Sequence, residues 1–406
     1  MDGTSFQSVN DLALIGSNRF SFLGNYADSI DLFWQPFGSR VSGGVLAKKP
    51  LLVRGAWPGF KSPLSPDSFL ALSEREDAFS RLMVKLEGNH RWDVREGPFK
   101  KADFDKMPES QWTLLIQEVD RLVPEVREML QVVSFLPNWR LDDIMISYAA
   151  NGGGVGAHTD NYDVFLLQGY GQRRWQIDTV PVVDENLIEG IDVSILADFE
   201  PDCDWILETG DMLYLPPKIA HHGVALGPCM TFSIGCRAPG ALEMVTGLLE
   251  NVLNDMDPEE RYSDPNLQAA RHPGELGDGA VDWVKSLLQR VIDDKDALTN
   301  LVGKMLSEPR RQAEEGPYTH LSFDEVFESG KSLKPYSSSQ VMYSPRSDAE
   351  FTLFAGGEVI QLRNALLPAV QALISASGLK EADYELDSEF IELLETLWEQ
   401  GTLIFQ

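Results

Sequence analysis

The sequence predicts a mainly β protein with α-helices: a β-sandwich or barrel, then a helical region, then a small winged-helix-like domain. Three observations predict it. From Trp139 to Pro239 the chain breaks into short runs rich in β-branched and aromatic residues, separated by glycine and proline, as expected for several short strands joined by turns. Beyond Pro239, apolar residues recur at helical spacing in Ala241–Leu253, Val281–Val291 and Ala297–Leu306. Past a charged stretch with two prolines, Glu308–Tyr318, the pattern reads helix, hairpin, helix, helix.

Taken in order, Lys49–Arg54 reads as a short buried strand ending at Gly55. Glu109 to Val132 carries Trp112, Leu115, Val119, Leu122 and Val126 at helical spacing. Strands are expected near Asp142–Ala149, His158–Gln168, Arg173–Asp178, Trp205–Glu208, Met212–Leu215, His222–Leu226 and Thr231–Arg237. The last segment predicts a helix at Phe323–Glu328, a hairpin through Val341–Tyr343 and Phe351–Phe354 with a Gly356-Gly357 turn, and helices at Leu366–Ala376 and Ser388–Gln400. The expected domains are therefore 1–239, 240–307 and 308–406, with no internal repeat.

At 406 residues and 43% hydrophobic content the chain is long enough for two or three cores. No apolar run approaches the roughly 20 residues needed to cross a bilayer, and Met1 to Asn18 lacks the regions of a signal peptide, so a cytoplasmic location is the expectation. Cys203, Cys229 and Cys236 are too few and wrongly spaced for a disulfide framework or a structural zinc site. A formal net charge of −29 disfavours direct binding to a phosphate backbone and favours a basic protein partner. The expected helix at Ser388–Gln400 bears glutamates and no lysine or arginine, which argues against a DNA-reading role.

His158-Thr159-Asp160 puts an imidazole and a carboxylate at i and i+2, which share a face on an extended chain. His221 follows a turn, a strand and the Pro216-Pro217 stop. Two histidines and one carboxylate make the facial triad of non-haem Fe(II) oxygenases, with three positions left open. The HxD pair alone is a weak signal, but only six histidines occur, and two of them fall where a triad needs them in the β-rich segment. His221 and His222 face opposite ways on a strand, so only one can be a ligand; His221 is favoured and His222 reads as a neighbour at the rim. Arg173 and Arg174 follow the Gly169-Tyr170-Gly171 turn. Either guanidinium could bind a carboxylate in a fork, and the residues alone leave open which faces the cavity. Gly152-Gly153-Gly154-Val155-Gly156 lacks the ending of a phosphate loop and reads instead as a side-chain-free entrance beside the metal.

Met145–Tyr148, Gly152–Tyr162, Gln168–Trp175, Tyr214–Pro217 and Ser233–Pro239 together make the chain resemble the bacterial JmjC-domain ribosomal oxygenases, the ribosomal protein arginine hydroxylases. The resemblance spans most of the chain. It implies a double-stranded β-helix of the JmjC/cupin kind, followed by an α-helical dimerisation region and a winged-helix domain. It implies His158, Asp160 and His221 as catalytic iron ligands, Arg173 as the partner of the 2-oxoglutarate carboxylate, and Ser147 and Thr231 beside it. The implied reaction uses Fe(II), with 2-oxoglutarate as cosubstrate, to hydroxylate an arginine of a basic large-subunit ribosomal protein, releasing succinate and carbon dioxide. The implied partners are that substrate and a second copy of the chain in a homodimer, without direct nucleic-acid or membrane binding. The sequence departs from the family pattern at Ala157, where a proline precedes the first ligand, and at His222, where an acidic residue follows the third. Histidyl hydroxylation, demethylation on the same fold and a non-catalytic cupin are the competing expectations.

Overall fold

A computed structural model describes residues 46 to 405 apart from 47, 87–90, 192, 266, 268–271, 275, 310–320, 338 and 376, with the backbone alone for 254 and 255. The readings made for Met1–Asn18, for most of Glu308–Tyr318 and for His90 and His320 lie outside the described residues. The chain divides between Ala238 and Pro239 into two compact units.

The first unit holds β1 (Leu51–Val53), β2 (Ser80–Lys85), β3 (Trp92–Glu96), β4 (Trp112–Ile116), β5 (Leu141–Ala149), β6 (Val164–Tyr170), β7 (Arg173–Pro181), β8 (Cys203–Leu207), β9 (Met212–Leu215), β10 (Ile219–Ala225) and β11 (Cys229–Cys236). They form a larger sheet, ordered β1-β9-β6-β11-β5-β4-β2-β3, and a smaller one, β10-β7-β8. Alternation along β6 explains the layering. Phe165 and Leu167 join Ile144, Ile146, Phe232 and Ile234 in a core that also takes in Val119 and Val126 from the flanking helical turns. Val164 and Leu166 point the other way, where they meet Trp175, Ile177, Leu207 and Ile219 of the smaller sheet. The two sheets thus enclose an interior of their own, and Val164, Leu166 and Gln168 of β6 face it.

Three local expectations are corrected here. Trp112–Ile116 is a strand rather than the start of a helix: β4 pairs with both β2 and β5 and is buried along nearly all its length. Short apolar runs fit either period, and sheet pairing decides between them. The strand expected from His158 begins only at Val164, because His158 makes an isolated bridge to His221 and the Asp160 carbonyl leaves the ladder to accept from Lys218 N at 2.7 Å. β10 in turn begins at Ile219, so His221 and His222 both lie within a strand.

The second unit carries α1 (Ala241–Asp255), α2 (Asp278–Asp293), α3 (Lys295–Ser307), α4 (Phe323–Phe327), α5 (Leu367–Ile374) and α6 (Ser388–Glu399). Its strands are β12 (Leu333–Pro335), β13 (Met342–Pro345), β14 (Glu350–Ala355), β15 (Glu358–Arg363) and β16 (Leu403–Phe405). Phe323, Phe327, Phe351, Val370, Phe390 and Leu397 build one core from α4, β14, α5 and α6. α3 lies against β14 so closely that a Cβ on Gly303 would stand 2.4 Å from the Phe354 ring. The Gly356-Gly357 turn does not join the two strands of the expected hairpin. It joins β14 to the unforeseen β15, with both glycines at positive φ, 62° and 78°, as a two-residue hairpin turn requires.

Candidate active site

His158 and His221 exchange both backbone hydrogen bonds, at 3.1 and 2.9 Å, and their ring centroids stand 4.2 Å apart. Each ring donates its Nδ1–H to the carbonyl two residues earlier, Gly156 at 3.1 Å and Ile219 at 2.9 Å, because a carbonyl can only accept. The Nε2 lone pair of each ring is left free, the tautomer a metal ligand needs. Asp160 Oδ2 lies 3.7 Å from His221 Nε2, and one ligand atom from each of His158, Asp160 and His221 falls within 4.8 Å of the others. Two imidazole nitrogens and one carboxylate oxygen on one side of a point suit a divalent first-row metal with positions left open.

Electrostatics agree with that donor set. Burial holds the His221 imidazole well below its usual pKa, with His158 adding to the effect, so the ring is neutral near pH 7. Burial pushes the Asp160 carboxyl up, opposed by His158 and by a hydrogen bond with Tyr162. His222 is half-buried, edge-on to Phe199, and burial together with nearby Lys85 brings its pKa down to about 4.

The glycine run before the triad serves packing rather than an open entrance. Gly153 and Gly154 are buried, and a Cβ on them would meet Trp112 O at 2.2 Å and Gly223 O at 2.5 Å. Backbone touches backbone here, which any side chain would prevent.

Arg173, on β7 of the smaller sheet, reaches across the interior to the larger one. Its side chain is 3% exposed, and Nη1 donates to Ser147 Oγ at 2.9 Å and Thr231 Oγ1 at 3.1 Å. Among the described residues it has no carboxylate partner, and its Nε finds no acceptor. Arg174, by contrast, is exposed and paired with Asp204. The structure thus brings His158, Asp160 and His221 into one cluster and Arg173, Ser147 and Thr231 into another in the same interior, and leaves Arg174 outside. A buried guanidinium with two hydroxyl acceptors and no carboxylate among the described residues is suited to receive an anion.

Two further residues belong to this interior. Trp175 is 5% exposed, lies under Arg173 and beside His221, and its Nε1 has no partner among the described residues. Gln168 is fully buried between Thr231 and the Tyr170 carbonyl. Trp175 was legible from its place two residues after Arg173 on one strand; for Gln168 the only signal was an amide inside an otherwise apolar strand.

The sandwich, the triad and the buried arginine define a JmjC-type protein. Residues 128–244 match the family described as JmjC domain, and residues 290–403 match the ROXA-like winged helix. The chain is 29% identical over 389 residues to the ribosomal protein uL16 3-hydroxylase of Escherichia coli, covering 94% of this chain and 98% of that protein. It is 35% identical over 260 residues to a probable ribosomal oxygenase of Haemophilus influenzae, 63% of this chain and 64% of that one. The solved structure of the E. coli ribosomal oxygenase YcfD in complex with cobalt and 2-oxoglutarate superposes with a TM-score of 0.76 at 29% identity, over 90% of this chain and 97% of that chain. A second structure of that protein, with cobalt and succinic acid, matches equally, with a TM-score of 0.76. The chain thus carries a JmjC domain and a ROXA-like winged helix, and over most of its length it is similar to the ribosomal oxygenases.

Proposed function

We propose that this chain is an Fe(II)- and 2-oxoglutarate-dependent hydroxylase of an arginine side chain in a large-subunit ribosomal protein, uL16 being the candidate. The observation that carries the reading is the buried Arg173 guanidinium, without a carboxylate partner among the described residues, in the same interior as His158, Asp160 and His221. The triad would hold the iron. Arg173 and Ser147 would hold the distal carboxylate of 2-oxoglutarate, with Thr231 alongside. When bound, the metal and cosubstrate supply the oxidation: 2-oxoglutarate becomes succinate and carbon dioxide while one oxygen atom of dioxygen enters a C–H bond. The protein's own residues fix the tautomers of both histidines, neutralise the cosubstrate's carboxylate and keep water from the interior.

The net charge of −29 suits a basic ribosomal protein met apart from ribosomal RNA, without direct nucleic-acid binding. Such a substrate supports a cytoplasmic location, and no described helix is long and apolar enough to cross a membrane. A homodimer is supported by two exposed apolar stripes of equal spacing, Leu242, Val245, Leu249 and Leu253 on α1 and Val281, Val284, Leu288 and Ile292 on α2.

The test is peptide mass spectrometry on large-subunit ribosomal proteins incubated with the protein, Fe(II), ascorbate and 2-oxoglutarate, beside a His158→Ala control. One added oxygen on a single arginine peptide, absent from the control, is the expected result. Gain on histidine would correct the target residue, and release of formaldehyde would point to demethylation instead.

A further inference from the structure

Ser147, Thr231 and Gln168 stand side by side on β5, β11 and β6, with Thr231 in register with both neighbours. All three face the interior reached by Arg173, and none is more than 4% exposed. Their hydrogen bonds can be ordered donor by donor. Gln168 Nε2 lies 2.9 Å from the Tyr170 carbonyl, which can only accept, so the amide orientation is fixed and Oε1 faces Thr231. Thr231 has one hydroxyl proton, and it goes to Gln168 Oε1 at 3.0 Å. What Thr231 presents to Arg173 Nη1, 3.1 Å away, is therefore a lone pair. Ser147 differs: its oxygen accepts from the same Nη1 at 2.9 Å, while its proton has no acceptor among the described residues.

We infer that Gln168 and Thr231 are positioning residues that aim the Arg173 guanidinium: the Thr231 proton is committed to Gln168, so Thr231 acts on the bound carboxylate through Arg173 and not by donating to it. The inference rests on the reading that Arg173 receives the distal carboxylate of 2-oxoglutarate. Tyr170 O, Gln168, Thr231 and Arg173 form a chain in which each proton has one destination. Breaking either link frees Thr231 to rotate and releases Arg173 from one of its two anchors. Gln168 thereby tunes cosubstrate affinity without touching the ligand.

The experiment titrates 2-oxoglutarate into the Mn(II)-loaded full chain by calorimetry without turnover, with a melting curve for every variant. Thr231→Val and Gln168→Leu are each expected to raise Kd about tenfold, the worth of roughly one hydrogen bond to a charged group. The double variant should also stand about tenfold above the parent rather than about a hundredfold, because both changes act through one hydroxyl. Thr231→Ser, which keeps that hydroxyl, should bind within about twofold of the parent, and Ser147→Ala should weaken binding independently of Gln168. Gln168→Met serves if the leucine variant does not fold. Weakening by Thr231→Val without weakening by Gln168→Leu would make Thr231 a direct donor and overturn the relay. Additive losses, or single variants within twofold of the parent, would overturn it as well. Unchanged affinity in Arg173→Met would instead bring down the underlying carboxylate reading.

Discussion

Arg173→Met separates the two things the buried guanidinium does. Methionine keeps much of the side chain's length and apolar volume while deleting its charge. In the ligand-free protein the group is 3% exposed and bonded to two hydroxyls at 2.9 and 3.1 Å. Each such bond from a charged donor contributes about 1.5–3 kcal/mol, while the effective desolvation penalty of a buried ion is several kcal/mol. The terms oppose each other and largely cancel, so the ligand-free variant should melt within a few degrees of the parent. Binding is not balanced in this way, because the guanidinium–carboxylate pair exists only in the complex. Removing one partner of a buried, hydrogen-bonded charge pair costs about 2–5 kcal/mol, which at about 1.4 kcal/mol per tenfold weakens 2-oxoglutarate binding by roughly 30-fold to a few thousandfold. Calorimetry on the Mn(II)-loaded protein and differential scanning fluorimetry without ligand measure the two effects. Affinity within threefold of the parent, or a ligand-free variant that no longer folds, would refute the reasoning.

Other outcomes follow from the same geometry. His158→Ala should lower Mn(II) affinity at least a hundredfold, measured by electron paramagnetic resonance titration, since it removes one of the three proposed ligands; retention of tight binding at the same site would refute that assignment. Gly154→Ala should destabilise the protein by about 1–3 kcal/mol in urea unfolding, because the added methyl meets Gly223 O at 2.5 Å; an unchanged midpoint would show that the loop can yield. Asp120 is buried, accepts from Ile144 N at 2.8 Å and has its pKa raised to about 6 by burial. Its folded pKa lies above the unfolded value, so the ionised form penalises the fold above about pH 6 and the penalty fades as pH falls from about 6 toward the model-peptide value of 3.8. Asp120→Asn should therefore stabilise the protein by up to about 3 kcal/mol at pH 8 and by well under about 1 kcal/mol at pH 4, and a pH-independent difference would refute the assignment. Val245→Glu with Val284→Glu should convert a dimer to a monomer in light scattering, and an unchanged mass would remove those stripes from the interface.

The candidate metal triad was legible because its chemistry is local. His158 and Asp160 are two residues apart, and His221 follows a turn, a strand and a proline stop, so spacing and residue type carried the signal. β5, β7, β9 and β11 were legible from β-branched and aromatic runs, and α1 to α3 from their period. β4 was not, since Trp112, Leu115 and Val119 satisfy a helical spacing while Trp112–Ile116 pairs on both edges with other strands. The glycine run misled for the same reason: its residues are small because Trp112 O and Gly223 O stand against them, and neither neighbour is near in sequence.

What the sequence by itself determined was the fold class and the three residues of the candidate triad, because hydrophobic period and ligand type are written into neighbouring residues. Which of Arg173 and Arg174 enters the interior was decided by tertiary structure alone. Adjacent residues on a strand face opposite ways, and only the packing of the smaller sheet against the larger makes one face a buried interior and the other a surface. The row of Ser147, Thr231 and Gln168 was decided in the same way: three polar side chains far apart in sequence become one surface only when β5, β11 and β6 lie in register, and only that surface gives the Arg173 guanidinium its direction.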